Sequence, residues 1–164
     1  MVRSMLYAAD LGLYAPYVTQ HALALARTFN AELYVIHVVE PLGLFAESVL
    51  QSYLGDEALK ELHGKGVNAF LSGIEQRMLD GFREELGEGH SDLSLIRTVR
   101  VVQGEPASVI LEQAHKLNVD LLVVGSHSRG MEEGASIGRT AARVLQFSDV
   151  PVYMVPMMLK KGRG

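Results

Sequence analysis

Apolar runs rich in β-branched residues alternate along this chain with stretches whose apolar positions recur every three or four residues. That alternation is the pattern of repeated βαβ units, and it predicts an α/β domain on a parallel sheet. The first run, from Ser4 to Ala9, ends at Asp10. Beyond a Gly- and Pro-containing turn, Pro16 suits a first helical position. Val18, Ala22, Leu25, Ala26 and Phe29 then share one face before Asn30 stops the helix. Leu33 to Val39 is nearly continuous in apolar residues, as expected where helices cover both faces of a sheet, and His37 is its one polar interruption. From Glu40 to Gly66 the periodicity is poor and glycines are scattered, which predicts a long mobile loop with at most one helical turn. Val67, Phe70, Leu71, Ile74, Met78, Phe82 and Leu86 form the clearest amphipathic helix, closed by Gly87 and Gly89. Leu93 to Val102 reads as a third strand. Gly104, Glu105 and Pro106 open a helix with Ile110, Ala114 and Leu117 inward and Asn118 at its end. Asp120 to Val124 is a short fourth strand that runs straight into Gly125-Ser-His-Ser-Arg-Gly130. Ile137, Ala141, Val144 and Leu145 mark a last helix, Asp149-Val-Pro151 turns the chain, and Val152 to Val155 is a fifth strand. The element order is β-α-β-α-β-α-β-α-β.

Composition narrows this picture. At 164 residues, 48% hydrophobic and 21% charged, the chain is sized for one globular domain. The expected division is a single domain over residues 1–156 and a short basic tail over 157–164 holding Lys160, Lys161 and Arg163. A net charge of -4 gives no general attraction to nucleic acid or to an acidic membrane surface. No run of about 18 apolar residues is available to span a membrane, and the stretch from Met1 to Pro16 lacks a signal-peptide core. There is no cysteine, hence no disulfide framework, thiolate metal site or thiol nucleophile, which fits a reducing, cytoplasmic setting.

In open parallel sheets ligands sit beyond the carboxyl ends of the strands, where the winding direction reverses. Asp10, Val38 and Gly125 would meet at one such crevice if strands one and four are neighbours. The loop from Gly125 to Gly138 is the main candidate. Gly125 and Gly130 let the backbone turn sharply and bring N–H groups toward an anion, although a tight βα connection would use the same glycines. Gly138 and Thr140 begin a helix whose amino end favours phosphate, and Arg129 and Arg139 add cationic reach. Asp10 suits a turn or helix cap as well as a ligand contact. His37 reads as a satisfied core histidine, whereas His127 sits in the glycine loop as a site candidate or an exposed loop residue. The six histidines show no H-E-x-x-H spacing, which leaves a metal site unsupported. Met154, Met157 and Met158 suit core or interface packing.

Leu6-Tyr-Ala-Ala-Asp10, Val35-Ile-His-Val38 and Val123-Val-Gly-Ser-His127 with Gly138 downstream resemble the universal stress protein family. Ala141-Ala-Arg-Val-Leu145 followed by Val150-Pro-Val152 is similar to that family's last helix and strand, so the resemblance runs to Pro156. It implies a Rossmann-like fold of the adenine nucleotide alpha hydrolase type, with five parallel strands in the order 3-2-1-4-5 and helices on both faces. It also implies binding of ATP or another adenine nucleotide, with or without Mg2+, and a homodimer through the last strand, Val152 to Val155. By the same resemblance, Ala8, Ala9 and Asp10 lie beside adenine and ribose, Val38 packs on the base, and Val124 and Gly125 border ribose and phosphates. The loop pattern G-x2-G-x9-G-[ST] assigns Gly125, Ser126, His127, Ser128, Arg129, Gly130, Gly138, Arg139 and Thr140 to the phosphates. This chain departs from it at Ser128, which replaces the middle glycine, and at Arg139, which replaces a small hydroxyl residue. An arginine there either fills the phosphate pocket or swings out and clamps the phosphates itself.

Three functional readings follow. The first is a nucleotide-binding regulatory protein of the stress response, without dedicated catalysis. The second is a related nucleotide-dependent enzyme. It would call for a His-x-Gly-His or Ser-Gly-Gly-x-Asp-Ser loop after strand one, where Asp10-Leu-Gly-Leu-Tyr14 supplies neither. A Walker loop and a nucleophile elbow are also missing. The third is a dimeric interaction protein that binds no nucleotide.

Overall fold

The computed structural model describes residues 1–12, 15–41, 67–86, 91–127 and 137–156, with 48–49, 52–53, 55 and 57. Most of the segment expected to be a mobile loop, the glycines expected to end the long helix, and the basic tail lie outside the described residues. Five strands form one parallel sheet: β1 (Ser4–Ala8), β2 (Glu32–Val39), β3 (Ile96–Gln103), β4 (Leu121–Gly125) and β5 (Val152–Val155). Their order is β3-β2-β1-β4-β5, as the resemblance implied. Between them run α1 (Ala15–Phe29), α2 (Val67–Leu86), α3 (Pro106–Lys116) and α4 (Arg139–Phe147).

β1 lies at the centre, paired with β2 from Ser4↔Glu32 to Ala8↔Ile36 and with β4 from Met5↔Leu121 to Ala8↔Val124. Strand side chains alternate between faces, so a central strand must be apolar on both. Met5 and Tyr7 join Leu33, Val35 and Val123 under α1 and α2. Leu6 joins Ile36, Leu122 and Val124 under α3 and α4. Full burial of such a side chain contributes about 1.5–3 kcal/mol, which is why these short strands hold without staples. The Tyr7 hydroxyl, the polar atom in this layer, lies 2.9 Å from Thr19 Oγ1 on α1.

The ends of the elements follow local chemistry. Asn30 and Asn118 take φ of 50° and 51°, the left-handed turn that closes α1 and α3 and that Asn tolerates. Glu105 caps α3, accepting from the Ser108 amide at 2.7 Å and the Ala107 amide at 3.3 Å, with Pro106 beginning the helix. The Ser108 bond, with the Ala107 amide and Arg143 assisting, holds the Glu105 carboxyl below its ordinary value.

Several expected positions differ. Residues Leu93 and Leu95 belong to a 3-10 turn, Ser91–Leu95, and β3 begins at Ile96. Both leucines still pack on the core, so their apolarity did not report backbone conformation. Asp120 precedes β4 instead of starting it. Its Oδ2 accepts from the Arg3 and Ser4 amides at 2.8 and 3.1 Å, tying down the start of β1. Phe29, Leu117, Ile137 and Leu145 are exposed, while Thr19 and Leu23 complete the buried face of α1.

At Gly73 and Gly81, within α2, an added Cβ would meet nothing within 4 Å. Gly73→Ala and Gly81→Ala are each expected to raise the unfolding free energy by about 0.5–1 kcal/mol. The check is a higher urea midpoint at constant m-value.

Candidate functional site

The connection from β1 to β2 passes through α1 on one face of the sheet, and that from β4 to β5 passes through α4 on the other. Consecutive units therefore wind away from each other between β1 and β4, and a crevice opens beyond their carboxyl ends. A cavity of about 870 Å³ occupies it. The end of β1 supplies Ala8, Ala9 and Asp10, β2 supplies Val38, and β4 with its following residue supplies Val124, Gly125 and Ser126. The start of α4 adds Gly138, Arg139 and Thr140. Ten of the expected site residues thus share one cavity. His127 is not among its lining. The ring Nδ1 of His127 lies 2.7 Å from Ser126 Oγ. Ser128, Arg129 and Gly130 lie outside the described residues.

Asp10 takes up the turn reading and lies on the cavity. Its Oδ1 accepts the Gly12 amide at 2.6 Å, closing the turn into α1, and the carboxyl group also lines the cavity. Burial pushes its pKa above the ordinary carboxylate value, against smaller opposing pulls from the Gly12 amide and from His37. Gly125 packs so closely that a Cβ there would lie 3.2 Å from Val18 Cγ2 and 3.8 Å from Asp10 Oδ2. At Gly138 a Cβ would lie 3.1 Å from the Ser126 carbonyl oxygen.

The Gly138 amide is not a free donor, because it donates to the Ser126 carbonyl at 2.8 Å. This bond docks α4 onto the end of β4. The donors without an intrahelical acceptor are the next amides, those of Arg139, Thr140 and Ala141, all three on the cavity wall. Gly138, at the N-cap, has no side chain to occupy them.

Sequence reasoning missed part of the lining. Ile36, Pro106 and Ile110 extend the apolar wall, and His37 and Val39 line the cavity at the end of β2 with Glu40 just beyond it. His37, expected as a core residue, is half-buried and faces the cavity, with Nδ1 2.7 Å from the Ala9 carbonyl oxygen. The available signal was a polar residue near the carboxyl end of an otherwise apolar strand. The β2 backbone contributes as well. Ile36 O accepts the Ala9 amide at 2.8 Å, and alternate residues of a strand direct their backbone groups to the same side. Val38 therefore directs its N–H and C=O toward the β1 side just where β1 has ended.

Over residues 1–156 the chain matches the family model described as the universal stress protein family. The chain belongs to that family. It is 31% identical over 140 residues to universal stress protein MJ0531 of Methanocaldococcus jannaschii, covering 83% of this chain and 71% of that one. The universal stress protein fold is shared with the solved structure of MJ0577 from the same organism, at a TM-score of 0.69 and 20% identity over 98% and 99% of the two chains. A universal stress protein solved in complex with cAMP aligns at a TM-score of 0.54 and 16% identity over 94% and 97%. No helix among the described residues is long and apolar enough to cross a membrane.

A raised carboxyl pKa means that the folded protein opposes ionisation of Asp10. The stability associated with this group is full below the ordinary Asp value of about 4 and is lost as pH rises through the raised folded value. Asp10→Asn, which keeps an acceptor for Gly12, is expected to raise the melting temperature at pH 7. The gap should close near pH 3 in paired thermal melts across that range.

Proposed function

We propose that this universal stress protein is a regulatory protein whose cavity binds ATP or another adenine nucleotide, signalling by occupancy and without dedicated catalysis. The observation that carries this reading is the polarity of the cavity. Asp10 and Glu40, which are acceptors when ionised, stand toward the β1–β2 end. The Arg139–Ala141 amides and the Arg139 side chain stand at the α4 end, where the helix dipole favours negative charge. Between them lies an apolar wall that includes Ile36, Val38 and Ile110. A purine suits that wall, and the Val38 backbone edge offers its base a donor and an acceptor. Ribose hydroxyls suit Asp10, and phosphates suit α4. The volume, about 870 Å³, falls within the usual range for small-molecule sites. The close approaches at Gly125 and Gly138 leave backbone where side chains would intrude. The structural relative in complex with cAMP, itself an adenine nucleotide, supports the same class of ligand.

Arg139 decides between binding and non-binding forms of the family loop. Its side chain is exposed beside the open cavity, which supports the reading in which it clamps phosphate. Among the described residues no cluster of three or more His, Asp or Glu could hold a metal ion. In this reading any Mg2+ ion enters with the phosphates. Ser128, Arg129 and Gly130 complete the phosphate loop in this proposal.

Homodimerisation through β5 belongs to the same reading, in a cytoplasmic setting that suits a chain without cysteine. Among the described residues β5 is an edge strand paired only with β4, and Val152, Tyr153 and Met154 are half-exposed. An unpaired apolar edge favours a partner strand.

Calorimetric titration is expected to show ATP binding, with Arg139→Ser weakening ATP by about fivefold or more and AMP by less, since a charge-assisted bond to the outer phosphates is lost. No heat and no thermal shift at millimolar ATP would favour the nucleotide-free interaction protein. Tighter ATP binding by the variant would mean obstruction. Light scattering at micromolar concentration should give the mass of a dimer, and a monomer would refute the edge pairing.

A further inference from the structure

We propose that His37 is a positioning residue that latches the Ala9–Asp10 turn against β2 and thereby sets the ribose-side wall of the cavity; this rests on the nucleotide reading above. The β1–β2 ladder runs regularly to Ala8↔Ile36, and the Ala9 amide continues it by donating to Ile36 O at 2.8 Å. In an unbroken parallel ladder the Ala9 carbonyl would next accept from the Val38 amide. The His37 ring takes that place, with Nδ1 2.7 Å from Ala9 O.

Two consequences follow. The backbone edge of Val38 is released from the ladder and left to the cavity. The carbonyl immediately before Asp10 is held by a side chain, so the turn that aims the carboxyl group is pinned at both ends: by His37 on Ala9 O and by Gly12 on Asp10 Oδ1. A carbonyl oxygen only accepts, so Nδ1 carries the hydrogen. Nε2 makes no hydrogen bond to any described residue. A purely structural residue on this side of β2 would be apolar, as Leu33, Val35 and Val39 are. The ring is polar because its work is at the strand end.

The test begins without nucleotide. Long-range proton–nitrogen correlation spectra of the full-length, 15N-histidine-labelled protein, taken where the ring is neutral, should show an Nδ1–H tautomer that disappears in His37→Asn. An Nε2–H tautomer at this residue overturns the latch. His37→Asn keeps an amide donor near the Nδ1 position, His37→Gln moves the donor outward, and His37→Leu has none. Thermal melts first establish which variants fold, and the Asn and Gln pair decides if the leucine variant does not. ATP affinity should stay within about twofold for Asn and fall at least about fivefold for Gln and Leu, the loss of one fixed hydrogen bond. Equal affinities in Asn and Gln overturn the positioning role. Failure of wild-type protein to bind ATP would instead defeat the nucleotide reading. The Gly12 amide resonance, which reports the Asp10 turn, then decides: it should hold in Asn and move in Gln and Leu, and no movement in any variant refutes the latch.

Discussion

The site depends on one topological constraint, the reversal of winding between β1 and β4. Neighbouring parallel strands whose following helices lie on opposite faces cannot both have their carboxyl ends covered by the same connection, so the space above the pair stays open. β1 can stand at that point because it is buried on both faces, with Met5, Leu6 and Tyr7 all but inaccessible to solvent. The sheet is fully buried immediately below the place where it must leave a gap.

Burial beneath the gap is matched by hydrogen bonds around it. Asp120 ties the start of β1 to the turn before β4, and the Ser126–Gly138 bond docks the amino end of α4 onto the end of β4. The second bond takes up one helix donor and leaves the next three amides aimed along the cavity wall. Glycine at 125 and 138 lets these segments approach within van der Waals distance of Val18 and of the Ser126 carbonyl. The strain of burying an ionisable Asp10 is accepted within the same construction, since burial and not a partner dominates its shift.

Much of this was legible along the chain. Apolar runs located all five strands, four of them rich in β-branched residues and β1 without any, and Asn30 and Asn118 marked helix ends because few other residues accept a positive φ. Periodicity was weaker at the ends of elements. Leu93 and Leu95 pack on the core from a 3-10 turn, while Phe29, Leu117, Ile137 and Leu145 obey the helical spacing yet lie on the exposed side or beyond the last buried turn. Strand order was not contained in any local pattern; it came from the family resemblance, and with it the meeting of Asp10, Val38 and Gly125. His37 was hidden because a polar residue in a strand looks alike whether it is satisfied in a core or at a cavity rim. Its bond to Ala9 depends on which strand lies next to β2. The acceptor of the Gly138 amide was not legible either, since Ser126 O lies across a loop.

The most direct test of the central claim is a residue-resolved ATP titration followed by amide chemical shifts. Shifts concentrated at Asp10, Val38, Gly125 and residues 138–141, saturating together, are what a nucleotide lying between the β1 turn and the start of α4 produces. Saturable shifts confined to other surfaces, or none at millimolar ATP, would contradict it.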